Sequence, residues 1–153
     1  MIRQRLGKDL LFFDGGMGTL LQEKGLAPGE LPETWNLTHS EEIYKIHRQY
    51  IEAGSDIILT NTFGANALKF HDDSCSLEEI IKAAVSHVKK AEREALLQTG
   101  DERKIYTALD VGPTGKLLKP MGDLEFETAY EAFKEVVILG AVSYTHLRAH
   151  ETE

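Results

Sequence analysis

Gly54-Ser55-Asp56-Ile57-Ile58-Leu59-Thr60-Asn61-Thr62-Phe63-Gly64-Ala65-Asn66 joins a short aliphatic run to a short polar one. Ile57 to Thr60 is too brief for a helix and rich in β-branched side chains, which suits a buried strand. Asn61, Thr62 and Gly64 then turn the chain out of it. The same pattern occurs twice more. Leu10 to Phe13 runs into Asp14-Gly15-Gly16, and Ile105 to Leu109 runs into Asp110-Val111-Gly112-Pro113-Thr114-Gly115. Three strands are predicted, each ending in polar groups and glycine.

Helical spacing fills the intervals. A short helical piece is expected near Leu20 to Lys24, and Leu26 to Leu37, with Pro28, Gly29 and Pro32, reads as a loop. Thr38 stands three residues before Glu41, a capping-box spacing, and Ile43, Ile46, His47, Tyr50 and Ile51 follow on one face until Gly54. Ser76 and Glu79 repeat that spacing ahead of Ile80, Ile81, Ala84, Val85, Val88 and Ala91, in a helix ending near Gly100. A further helix is predicted over Phe126 to Leu139, with Tyr130, Phe133, Val136 and Val137 on its apolar side. The order β, α, β, α, β, α implies a parallel sheet covered by helices, in a barrel or a doubly wound arrangement. A complete eight-unit barrel takes about 250 residues, so three units in 153 residues make less than half of one.

Composition narrows the function. Twenty-five acidic and 17 basic side chains give a formal charge of -8, and the charges are scattered, which argues against nucleic-acid or anionic-membrane partners. Asp14 interrupts the first apolar run too early for a signal peptide, and no stretch reaches about eighteen apolar residues. A cytoplasmic protein is expected. Cys75 is the only cysteine, which excludes an internal disulfide framework and a zinc site made of this chain's thiolates alone.

In parallel α/β folds, ligands bind at the carboxyl ends of the strands. Here those ends carry the carboxylate of Asp14 beside two glycines whose N–H groups a ligand can approach, then Thr60, Asn61 and Thr62, then Asp110. Asp-Gly-Gly alone is most often a turn, and Thr-Asn-Thr alone often only satisfies backbone groups. Together they suit a small ligand bearing both an ammonium and a carboxylate.

The strings LLFFDGGMGTLLQ (10–22), GSDIILTNTFGAN (54–66) and ALDVGPTGKLLKPMGDLEFETAYEAF (108–133) closely resemble the homocysteine-binding domain of homocysteine S-methyltransferases, nearest to the N-terminal barrel of the cobalamin-dependent methionine synthases. The resemblance runs from about Leu10 to Gly140. It implies a (β/α)8 TIM barrel of which this chain is the N-terminal, truncated portion. It also implies transfer of a methyl group to the thiolate of homocysteine, held on a zinc bound by three cysteines, with cobalamin as a methyl carrier in the cobalamin-dependent branch. By the same resemblance Asp14 binds the amino group, Gly15 and Gly16 with Thr60 position the carboxylate, and Thr62 and Phe63 line the pocket.

Departures from the family pattern are as informative. The family's zinc cysteines lie on later strands, and Cys75, in the polar loop His71-Asp72-Asp73-Ser74-Cys75-Ser76, matches none of them. His71, Asp72 and Asp73 read as solvated rather than as ligands. After Gly140 the fourth strand, with its substrate-binding glutamate, does not follow. Ser143 to Thr152 is similar to translated sequencing-adapter read-through, so residues 1–141 are taken as the N-terminal part of the domain and 142–153 as a non-native tail, which discounts His146 and His150 as a metal pair. Two rival readings are an inactive barrel fragment with open sheet edges and a phosphate-binding α/β protein. The second rests on Gly112 to Lys116, but Asp110 and Leu117 stand where a phosphate loop needs Gly and Ser or Thr.

Overall fold

A computed structural model describes residues 2–70, 74–100 and 103–149. The elements are α1 (Met17–Glu23), α2 (Trp35–Thr38), α3 (Ser40–Glu52), β1 (Ile57–Leu59), α4 (Leu77–Thr99), β2 (Tyr106–Ala108) and α5 (Phe126–Ala149), with 3-10 turns at Ile2–Gln4 and Pro32–Thr34. β1 and β2 pair in parallel, Ile57 opposite Tyr106, Ile58 opposite Thr107 and Leu59 opposite Ala108. Parallel neighbours need a crossover, and α4 supplies it. It packs between α3 and α5.

The first predicted strand is realised as a single parallel bridge from Phe13 to Ile57. Phe12 O accepts from Asp56 N and Ile57 N, and Asp14 N donates to Ile57 O at 3.0 Å, so the segment does lie along β1. It is not buried as the sequence suggested: Leu10, Phe12 and Phe13 are more than half exposed. One strand neighbour and no covering layer among the described residues account for that difference.

The core forms where helical spacing placed it. Ile51 of α3, Ile58 of β1, Val88, Ala91 and Ala95 of α4, and Ile105 just before β2 close on one another with Tyr44. A second cluster joins Leu21, Leu26, Trp35, Ile43 and Ile46, and a third joins Ala65, Phe70, Ile80, Ile81 and Val136. The Ser76–Glu79 capping box forms in full, and Gly100, at φ 64°, ends α4 in the left-handed conformation that glycine adopts without strain.

Three expectations are corrected. Thr38 does not cap α3: it closes α2, donates its hydroxyl to Thr34 O at 3.2 Å, and leaves His39 as the N-cap. The expected loop 26–37 therefore contains a helical segment, begun by Pro32 at a position where its missing N–H costs nothing. α5 runs past its expected end at Leu139, to Ala149. Its buried side is Ala129, Ala132, Val136, Gly140 and Ser143, whereas Tyr130 and Val137 are exposed. No helix of the described residues is long and apolar enough to cross a membrane. His71, Asp72, Asp73 and His150 lie outside the described residues.

Candidate functional site

The carboxyl ends of the strands frame a cavity of about 260 Å³, lined among others by Asp14, Gly15, Gly16, Glu33, Thr60 and Asp110. Asn61, Thr62 and Phe63 also line it, so every residue singled out at the strand ends comes to one place. β1 and the bridged Phe13 segment run side by side, which brings Asp14 level with Leu59.

Asp14 is held by one oxygen and unpartnered among the described residues at the other. Oδ2 accepts the Leu59 N–H at 3.1 Å, while Oδ1 is buried and finds no hydrogen-bond partner among the described residues. Burial pushes its pKa up to about 6, against the lowering effect of the Leu59 N–H, and the nearby Asp110 charge adds to the rise. Burial raises Asp110 as well. A cationic group in the cavity would meet uncompensated negative charge.

Gly15 is required by a close approach. A Cβ there would meet the Tyr50 hydroxyl oxygen at 2.7 Å. Tyr50 donates that hydroxyl to Gly16 O at 3.3 Å and so ties the glycine pair to α3. Its own pKa is raised by burial and by the Asp14 charge.

Thr60 and Thr62 form a rigid ladder between the two strand ends. Thr62 donates its hydroxyl to Asp110 O at 2.7 Å, and Asp110 N donates to Thr60 Oγ1 at 3.1 Å. Because the Thr62 proton is committed to a carbonyl, Thr60 must be the donor in the 2.7 Å contact between the two hydroxyls. Both hydroxyl protons are engaged within the protein. Both residues are also nearly inaccessible, so their part is to fix the wall of the cavity.

Phe63 is half exposed at the rim, with Lys69 Nζ 5.3 Å from its ring centroid. Gly112 packs directly on it: Gly112 N donates to Phe63 O at 3.1 Å, and a Cβ on Gly112 would lie 2.2 Å from that oxygen. This contact also disposes of a phosphate cradle at Gly112 to Lys116. Lys116 N is taken by Thr114 Oγ1, and the next helix begins only at Phe126, so no amide-lined turn feeds a helix there.

Glu33 escaped the sequence reading. It sits in the Pro32–Thr34 turn, is 3% exposed, and its Oε1 accepts the Gly64 N–H at 2.5 Å. The available signal was Pro32 followed by an acidic residue, a helix-start pattern inside what otherwise looks like loop.

Among the described residues no three His, Cys, Asp or Glu side chains converge on a possible ion site. Cys75 is half-buried against the Phe70, Ile80 and Ile81 cluster and does not line the cavity. The residues present therefore do not fit a three-thiolate zinc site.

Residues 11–152 match the family model described as homocysteine S-methyltransferase. Methionine synthase of Mycobacterium leprae (strain TN) is 30% identical over 138 residues, covering 86% of this chain and 11% of that protein. The homocysteine methyltransferase MmuM from Escherichia coli superimposes in its apo form with a TM-score of 0.66 at 22% identity, over 90% of this chain and 47% of that one. Its metallated form gives 0.64 at 24% identity, over 74% and 42%. At these identities the superpositions establish a shared α/β fold. The chain spans about a tenth of the methionine synthase and under half of MmuM.

Proposed function

The chain belongs to the homocysteine S-methyltransferase family, and on that premise we propose that its strand-end cavity holds the amino-acid end of homocysteine while a methyl group is transferred to the sulfur. The observation that carries this is Asp14: a half-buried carboxylate fixed through one oxygen, without a partner among the described residues at the other, and raised by burial to a pKa of about 6. The α-ammonium of homocysteine is the missing partner. It would restore the ionised form and donate a charge-assisted hydrogen bond to an acceptor whose position is fixed in advance. The Gly15 and Gly16 backbone takes the substrate carboxylate, Thr60 and Thr62 hold the wall against which it rests, and Phe63 covers the rim.

The chain on this proposal is the N-terminal portion of a (β/α)8 barrel. The exposed Leu10, Phe12 and Phe13 beside β1, and Val137 and Ile138 on α5, are the faces that further units of a barrel cover. The cysteines of a zinc that would hold the sulfur as a thiolate, and the site of any cobalamin-bound methyl donor, lie in those further units. Residues 142–153 as a non-native tail, an inactive isolated fragment and a cytoplasmic location belong to the same proposal.

The test is Asp14→Ala in the intact barrel. L-homocysteine binding is expected to weaken by about tenfold or more, the cost of a charge-assisted hydrogen bond, with metal content unchanged. Equal loss of ligand and metal would show that Asp14 supports the fold and not the substrate.

A further inference from the structure

Glu33 is a buried carboxylate for which the proposed roles of Asp14, Gly15, Gly16, Thr60, Thr62 and Phe63 leave no use. It reaches the cavity from the turn before α2, far from the strand ends in sequence, and lines the same space as Asp14. Its two oxygens are in different states. Oε1 accepts the Gly64 N–H at 2.5 Å, whereas Oε2 is buried with no hydrogen-bond partner among the described residues. Gly64 permits the approach, since a Cβ there would lie 2.8 Å from Oε1.

A carboxylate needed only to anchor the turn after β1 could be an amide, which presents the same acceptor to Gly64 without burying a charge. The charge therefore calls for a cationic partner. An α-ammonium carries three N–H donors, and Asp14 has one open oxygen to offer. Asp110 lines the cavity too, but of its three carboxylates Glu33 is the one almost wholly buried, and its unpartnered Oε2 is a further acceptor for the ammonium.

The geometry points to Glu33 as a further ammonium-binding residue, which shares the amino group of the substrate with Asp14 and at the same time holds the Thr62–Gly64 turn through its other oxygen. This inference rests on the cavity taking an amino acid, as proposed above. It makes the site selective for the amine and not merely for the thiol.

The experiment compares two ligands on the intact barrel: L-homocysteine and 4-mercaptobutanoate, which is the same molecule without the amino group. Glu33→Gln keeps the Gly64 acceptor and removes the charge. L-homocysteine binding, measured by calorimetry, is expected to weaken about tenfold, and 4-mercaptobutanoate binding to stay within about twofold of wild type. Equal weakening of both ligands, or of neither, overturns the role of Glu33, because a residue that only holds the turn cannot tell them apart. A wild-type protein that binds both equally overturns the ammonium site altogether, Asp14 included. Asp14→Asn provides a check that leaves Glu33 intact. It is expected to retain a several-fold preference for L-homocysteine, and complete loss of that preference would assign the ammonium to Asp14 alone.

Discussion

Buried polar groups behave differently in the helical layer and at the strand ends. Beneath α2 and α4, Asn36 Nδ2 donates to Asn61 O at 2.8 Å, Asn61 Nδ2 donates to Pro32 O at 2.8 Å, and His87 Nε2 donates to Asn36 O at 2.7 Å. That network closes on itself and pins the loop after β1 to the helices. On the cavity side of the same loop, Asp14 and Glu33 each keep one buried oxygen without a partner among the described residues. Unsatisfied buried carboxylates destabilise a fold by several kcal/mol unless something binds them. A protein that completes its hydrogen bonds on one side of Asn61 and leaves them incomplete on the other has placed its binding capacity on the incomplete side.

The comparison breaks first if the helical layer is not a well-packed core. Ile58 is fully buried in β1 against Tyr44, Ile51, Val88, Ala91, Ala95 and Ile105. Ile58→Ala is expected to cost about 2–5 kcal/mol in urea denaturation, from lost burial and the cavity left behind. A loss under about 1 kcal/mol would mean that β1 is not sandwiched as described.

His47 is the exception within the helical layer. It is fully buried on α3, yet neither ring nitrogen finds a hydrogen-bond partner among the described residues. Burial pushes its pKa down to about 3, and His87 adds to the shift. The folded value lies below the unfolded value of 6.5. Stability linked to His47 is therefore present in full above pH 6.5 and is lost as the pH falls toward 3, by up to about 1.4 kcal/mol per pH unit. His47→Leu is expected to gain about 1–2 kcal/mol at pH 7 by removing an unpaired N–H, and to flatten the acid limb of the stability profile. An unchanged acid limb would show that other groups govern it.

The two regions also differ in how far they could be read in advance. α3 and α4 were legible because large apolar side chains repeat at helical spacing and the Ser76–Glu79 box marks a start unambiguously. α5 was legible as a helix and in its fully buried Val136, but only partly in its orientation. The rest of its buried side includes Ala129, Ala132 and Gly140, where small size permits contact: a Cβ at Gly140 would lie 2.6 Å from Leu109 Cδ2. A hydrophobic pattern weighs Tyr130 and Val137 more heavily and rotates the expected face away from these small residues. At the site, Asp14 and Thr60 were legible because they follow strands directly. Glu33 was not, since its meaning comes from meeting Gly64, 31 positions away, and no local pattern encodes that encounter.

The smallest expected effect tests the strand-end half of the comparison without any ligand. Asp14 has a folded pKa of about 6 against an ordinary value of 3.8. A raised carboxylate contributes stability that is fully present below pH 3.8 and is lost as the pH rises through 6, because folding then requires burying the ionised form. Asp14→Asn cannot ionise. It should therefore match wild type near pH 4 and exceed it at pH 7, by about 1 kcal/mol once partial exposure and solvent screening are allowed for. The variant would be more stable and a poorer binder, the combination expected of a group kept for its ligand. Wild type more stable than Asp14→Asn at pH 7 would instead make the Leu59 hydrogen bond the main role of Asp14, and the strand ends would then resemble the helical layer.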